Sequence, residues 1–237
     1  MRFSELLEKA ENHVRTSPTG MLTLGWRHRI WDAVLEKYPE DADRRWMLLA
    51  YLAVEETLPS WQSCTSIPVR HQDLPNRALD TIRQVIRDEI SDKDAWRIYE
   101  HLFGIDLDEF LSDPSVMAMT ENDLDGWFPM AGPAAVVAMR VCLERDMVPS
   151  HLEYSEGWNP YTMVDEDCDA ETYDVHYFVM QNIRGLSPLP KLSLTTAKIA
   201  DLARAFWLRW LQTLLPKVLI DSTKLDDRVA QLKAIGH

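Results

Sequence analysis

The sequence predicts an all-α protein, a single compact domain built as a bundle of about eight to ten helices. Apolar residues recur three or four positions apart along most of the 237-residue chain, which is the spacing of one helix face. No strand pair, hairpin signal or repeat of about 20–50 residues stands out. Nine tryptophans and ten methionines against only eight glycines favour a bulky core, so we expect one helical domain over residues 1–237.

The N-terminal part of the chain predicts three helices. The first covers about 5–15, and the second ends near Tyr38 because Pro39 cannot continue it. The third covers about 41–58 and is apolar on all sides from Trp46 to Val54. A helix of this kind is buried, so we expect it at the centre of the bundle.

The middle of the chain predicts further helices with more interruptions. Pro75 suits the first turn of one helix, and Asp92 begins a short helix that ends near Gly104. Residues 133–139 have the small side chains of a helix that lets its neighbours approach closely. A short buried strand is the alternative there, although a lone strand has no partner.

The C-terminal part predicts a helix over about 170–184, a long helix over about 193–220 and a short tail helix. Pro216 should bend or end the long helix, because it lacks an amide donor and clashes one turn back.

The aromatic residues divide into two groups. One group falls in helical apolar stripes, where we expect core packing: Trp31, Trp46, Phe206, Trp207 and Trp210. The other group falls in loops beside acidic residues: Trp127, Tyr154, Trp158 and Tyr161. Such loop aromatics either pin the loop to the core or serve as binding hot spots, and the sequence leaves both roles open.

Charge is concentrated in residues 92–177, which we call the acid-rich stretch. It holds 20 of the 38 acidic residues and four of the 25 basic ones, a net charge of −16, whereas the remaining 151 residues have a net charge of +3. Crowded like charges repel one another but strengthen the field seen by a cationic partner. We therefore expect a surface that binds a basic protein, provided that Arg and Lys from the rest of the chain do not neutralise these acids.

Bulk properties exclude several other classes of function. A pI near 4.9 and the lack of a Lys/Arg patch argue against nucleic-acid binding. No uncharged apolar run is long enough for a membrane span, and the charged N-terminus does not resemble a secretory signal. Three cysteines without close spacing are typical of reduced thiols, so we expect a cytoplasmic protein.

The sequence carries no catalytic signature, so we expect neither an enzyme nor a cofactor. Asp165, Asp167 and Asp169 alternate like calcium ligands, but Ala170 and His176 stand where a calcium loop needs Gly and Glu. This loop has three other interpretations: a looser metal site, a solvated loop, or a loop that faces a partner. An enzyme whose site assembles from distant residues, metal-dependent or not, remains an alternative.

Candidate contact residues for a basic partner combine acids with loop aromatics, because ion pairs and aromatic faces both suit Lys and Arg. They are Trp127, Tyr154, Trp158, Asp165, Glu166, Asp167, Asp169 and Glu171.

Several apolar motifs resemble those of a known family. They are Leu58-Pro59-x-Trp61, the helix Ala78–Ile90, the small-residue helix 131–142, the segment Tyr173–Phe178, and Phe206-Trp207-x-x-Trp210 running to Leu215-Pro216. Together, over about residues 45–220, they resemble an all-helical immunity protein family of bacterial polymorphic toxin systems, the one numbered five among the predicted immunity families. The resemblance implies a protein that binds a cognate toxin domain in the producing cell and blocks it without catalysis.

The charge distribution and the resemblance lead to one hypothesis about function. A nuclease must hold phosphate with cationic groups, so an acidic protein could occupy that surface as an electrostatic mimic. The alternative is a helical adaptor or chaperone that binds another basic protein.

Overall fold

The structure, a computed structural model, describes residues 2–63, 67–121, 131–143 and 196–232. Its helices are α1 (Phe3–Thr16), α2 (Leu24–Lys37), α3 (Ala42–Glu55), α4 (Leu58–Ser63), α5 (Leu74–Ile86), α6 (Asp92–His101), α7 (Leu107–Leu111), α8 (Pro114–Glu121), α9 (Ala131–Leu143), α10 (Thr196–Arg209), α11 (Leu215–Val218) and α12 (Ser222–Ala230). A 3₁₀ turn covers Val69–His71, and π-helical turns at Leu102–Asp106 and Trp210–Leu214 join α6 to α7 and α10 to α11.

The prediction of an all-α bundle is confirmed: the described ranges contain helices and connections but no strand. The segment 133–139 is helical, so its alternative interpretation as a strand was wrong. The predicted helix over 170–184 lies outside the described residues. The extent of the single domain, residues 1–237, stays a prediction.

Helix α3 lies at the centre of the bundle, as its all-round apolar sequence predicts. Its side chains from Arg45 to Val54 are buried, and it packs against α5, α9 and α11. The ring of Trp46 lies 4.5 Å from that of Trp31 on α2. All five aromatic residues predicted for the core are buried, which confirms that part of the pattern.

Helices α5 and α9 make the most extensive helix–helix contact among the described residues, and small side chains allow it. Ala134, Ala135 and Ala138 are buried on α9. A Cβ atom at Gly132 would lie 2.7 Å from Cη2 of Trp61, so only glycine permits this approach. Trp61 is in turn held by a hydrogen bond from its Nε1 to the carbonyl of Gln72, at 2.9 Å.

Two helix boundaries differ from the prediction. The helix expected over about 41–58 ends three residues earlier, at Glu55. Pro59 lies in the first turn of a separate helix, α4, where a missing amide costs no hydrogen bond. The helix from Asp92 does not end near Gly104. It continues through the π turn into α7 and ends at Leu111.

The long C-terminal helix also passes through its proline. The amide of Leu215 donates to the carbonyl of Trp210, five residues back, and this wide turn directly precedes Pro216. The run then ends at Val218, next to the side chain of Arg45. The Nη1 of Arg45 donates to the carbonyls of Val218 and Ile220, and its guanidinium lies 3.8 Å from the centre of the Tyr38 ring.

Candidate partner-binding surface

The described acids of the acid-rich stretch lie mainly on one uninterrupted helical run, α6, the π turn and α7, which we call the α6–α7 helix. Ser91 caps it, since its Oγ accepts a hydrogen bond from the amide of Asp94 at 3.2 Å. Asp92 and Asp94 lie in the first turn, where negative charge is favourable. The run packs against α5 and α9 and leaves its other face to solvent.

Some acids of this stretch are neutralised by basic groups. Oδ2 of Asp106 lies 2.9 Å from Nη1 of Arg77 and 3.6 Å from Nε2 of His101, and Oδ1 of Asp94 lies 3.7 Å from Nη1 of Arg97. Arg77 comes from outside the acid-rich stretch. The predicted concentration of negative charge is therefore reduced at Asp106.

Asp113 is the second acid that is neutralised from outside the stretch. It is buried, pairs with Arg70 and accepts the Ser115 amide at 2.8 Å on Oδ1, so it caps α8. Burial raises the pKa of this carboxyl, but the hydrogen bond from Arg70 and the Ser115 amide outweigh burial and hold the pKa at about 2. The pair ties the segment that holds Val69 to the end of α7.

Three other carboxylates on the α6–α7 helix remain available to a partner. Glu100, Asp108 and Glu109 are exposed, and none of them forms an ion pair with another residue in the described ranges. They are held on a helix that packs on the core through Tyr99, Leu102 and Phe110. Charges fixed in this way create a persistent field without first having to be ordered.

Large apolar side chains are also exposed on the α6–α7 helix and on neighbouring segments. The large hydrophobic residues that are exposed within the described ranges all lie between residues 69 and 117: Val69, Phe103, Ile105, Leu111 and Met117. Phe103 and Ile105 lie two positions apart in the π turn, and neighbouring exposed apolar groups mark interaction surfaces. The surface thus offers both negative charge and apolar contact.

Comparison with known protein families identifies the relationship. The family model described as Immunity protein Imm5 matches residues 7–217. The chain belongs to the Imm5 immunity protein family. A comparison with curated proteins found no match.

The family match confirms the resemblance predicted from the apolar motifs and extends it. The motifs cover about residues 45–220, whereas the family model begins at residue 7 and includes the whole acid-rich stretch. Several of the motifs lie at contacts that define the fold, such as Trp61 against α9 and the edge-to-face rings of Trp207 and Trp210. This chain is therefore an immunity protein.

The eight contact residues proposed from the sequence all lie outside the described residues: Trp127, Tyr154, Trp158, Asp165, Glu166, Asp167, Asp169 and Glu171. Their role stays a prediction. The candidate metal loop at Asp165–Asp169 lies outside too, and within the described ranges no group of three His, Cys, Asp or Glu side chains is placed to hold a metal ion. Each helix of those ranges is too short or too polar to cross a membrane.

Sequence reasoning missed the exposed residues of the α6–α7 helix. Their acids were counted within the acid-rich stretch but not selected as contacts, and Phe103 and Ile105 were not considered. One signal was present: the apolar residues Leu102 and Leu107 are five positions apart, which breaks the three-or-four spacing of a regular helix.

Proposed function

We propose that this immunity protein neutralises a nuclease toxin by binding the toxin's basic working surface with its acid-rich stretch. The observation that carries the proposal is a set of exposed carboxylates, Glu100, Asp108 and Glu109, that form no ion pair with the described part of the chain. A nuclease binds phosphates with Lys and Arg, so its working surface is complementary to such a helix. Family membership supports the toxin as the partner.

In this proposal inhibition is stoichiometric and involves no catalysis. One immunity protein occupies one toxin domain, so toxin activity should fall linearly with the molar ratio until the two are equal. The complex forms in the cytoplasm of the producing cell, where the toxin would otherwise act. The buried thiol of Cys142 agrees with a structural role for that cysteine.

Charge and aromatic contacts have separate tasks in this mechanism. An exposed ion pair contributes about 0.2–1 kcal/mol, so the acids mainly accelerate encounter and make it sensitive to salt. Affinity comes from aromatic groups that the partner desolvates, for which Trp127, Tyr154 and Trp158 are the proposed candidates, alongside the acids of 165–171.

The first experiment measures inhibition by the unmodified protein. The genes beside this one are first searched for a toxin domain, and the purified domain is assayed for cleavage of DNA and RNA while the immunity protein is titrated in. We expect cleavage to stop at a one-to-one ratio. A toxin domain that cleaves no nucleic acid would contradict the nuclease proposal, and binding without loss of activity would favour an adaptor or chaperone.

The second experiment tests the acidic loop. Replacing Asp165, Asp167 and Asp169 by lysine should lower the association rate and flatten its salt dependence, because both arise from long-range attraction. A control with the same change of charge replaces three exposed acids of the α1–α2 region: Glu8, Glu36 and Glu40. If the loop variant keeps both the association rate and the salt dependence of the unmodified protein, the loop is not a contact.

A further inference from the structure

The π turn determines which apolar residues of the α6–α7 helix face solvent. The buried positions before it are Ala95, Tyr99 and Leu102, at helical spacing, and the next is Leu107, five residues on. In a regular α-helix Ile105, three after Leu102, would continue the buried stripe. The inserted residue turns Leu107 to the core instead and leaves Ile105 47% exposed.

The turn brings Leu107 and Phe110 into the core and leaves two large apolar residues outside it. Phe103 is 46% exposed beside Ile105, and a Cβ atom at Gly104 between them would meet no atom within 4 Å. The turn therefore presents two large apolar side chains to open solvent. π turns of this kind occur frequently at functional sites.

The ring of Phe103 packs on a neighbouring aromatic ring. Its ring stacks on Tyr99 with centroids 5.5 Å apart, and Tyr99 meets Trp96 edge to face at 5.4 Å. Tyr99 is itself buried, so this ladder connects the exposed ring to the core. A side chain that is already ordered loses little entropy on binding, which is a property of binding hot spots.

The charges around the two apolar residues determine the kind of partner. Glu100, Asp108 and Glu109 flank them in sequence on the same helical run and lack ion pairs within the described ranges. A second copy of this chain would bring these acids against their own counterparts, and like charges would oppose the contact. A partner with Lys and Arg around an apolar pocket would satisfy both features.

We infer that Phe103 and Ile105 are the apolar anchor by which the α6–α7 helix docks on the cognate toxin. They enter an apolar pocket on the toxin, and Glu100, Asp108 and Glu109 pair with basic residues at its rim. This inference rests on the proposed function and specifies a surface outside the 122–130 and 144–195 segments. It separates the roles of the residues: the anchor slows dissociation, whereas the acids accelerate association.

The test compares variants for binding to the toxin domain encoded by the neighbouring gene, made inactive by substitution. The anchor variant carries Phe103→Ala and Ile105→Ala, and the acid variant carries Glu100→Lys, Asp108→Lys and Glu109→Lys. Matched controls are Phe103→Leu with Ile105→Leu, which retains apolar volume, and the α1–α2 lysine variant with Glu8, Glu36 and Glu40 replaced. Association and dissociation rates are measured by surface plasmon resonance at several salt concentrations.

We expect the anchor variant to dissociate about tenfold faster or more while associating within about threefold of the unmodified rate. The acid variant should associate about tenfold more slowly with a weaker salt dependence. The leucine control should largely restore slow dissociation. Because the anchor residues are half exposed, thermal melts should confirm that both apolar variants remain folded.

Two outcomes overturn the inference and are distinguishable. If the unmodified protein binds and neutralises the toxin but the anchor variant dissociates within about twofold of its rate, the inference fails and the proposed function stands. If the unmodified protein does not bind the toxin domain, both fail.

Discussion

Replacing Arg45 by methionine should lower the free energy of unfolding by about 3–5 kcal/mol, because it takes a fully buried cation away from three hydrogen-bond acceptors. Arg45 has no exposed surface, and its guanidinium donates to the carbonyls of Val218 and Ile220 and, at 3.1 Å, to Oδ2 of Asp41. Methionine retains the apolar stem but leaves these acceptors without their donor.

The magnitude follows from those contacts. A hydrogen bond to a charged group contributes about 1.5–3 kcal/mol, and three are lost. The net cost is smaller than their sum, because burying the cation is itself unfavourable and Asp41, 26% exposed, regains water. Ser222 also continues to donate to Asp41.

Urea unfolding followed by tryptophan fluorescence measures the effect, since Trp31, Trp46, Trp61, Trp207 and Trp210 are buried in the core. The matched control is Arg209→Met. Arg209 makes two hydrogen bonds to Glu56, at 2.7 and 2.8 Å, but is 57% exposed, so its loss should cost only about 0.2–1 kcal/mol. If the two variants differ by less than about 0.5 kcal/mol, the argument that burial decides the contribution of these arginines is wrong.

Two further predictions concern stability and use the same unfolding measurement. Gly132→Ala should lower the free energy of unfolding by about 1–3 kcal/mol, because the new Cβ would overlap the Trp61 ring. Gly104→Ala has open space around it, so it should be neutral or stabilising by up to about 1 kcal/mol. Equal effects of the two substitutions would contradict the packing argument. Arg70 and the Ser115 amide hold the pKa of Asp113 at about 2 in the folded protein, below its ordinary 3.8. The charged carboxylate therefore stabilises the folded protein fully above its ordinary pKa, and this stabilisation is lost as the pH falls towards the pKa in the folded protein. Asp113→Asn should therefore destabilise the protein more at about pH 6 than at about pH 3, and a difference that is independent of pH would refute this assignment.

The sequence was informative about the fold because helical periodicity is a local property. The run from Trp46 to Val54 is apolar on all sides, which correctly predicts a central helix, and the small residues of α9 correctly predict a close helix–helix contact. The end predicted near Gly104 was wrong, because a glycine that normally ends a helix lies instead in a π turn. Local rules do not anticipate a turn that is stabilised by packing on both sides of it.

The sequence was less informative about the candidate surface. It located the excess of acids between residues 92 and 177 but not which of them are free to act. Arg77, which lies on another helix, pairs with Asp106 but not with Asp108, so Asp108 is the acid available to a partner. Likewise, Ile105 is apolar like a core residue, but it is exposed because the π turn places Leu107 in the core instead.

The sequence by itself determined the helical class, the central helix and the sign of the charge, because composition and short-range spacing carry this information. Its apolar motifs, compared with those of known proteins, also carried the resemblance to the immunity family. Only the tertiary structure decided which carboxylates are neutralised and which apolar side chains remain outside. Both depend on contacts between residues far apart in the chain, such as Arg70 with Asp113, and no local pattern encodes such a contact.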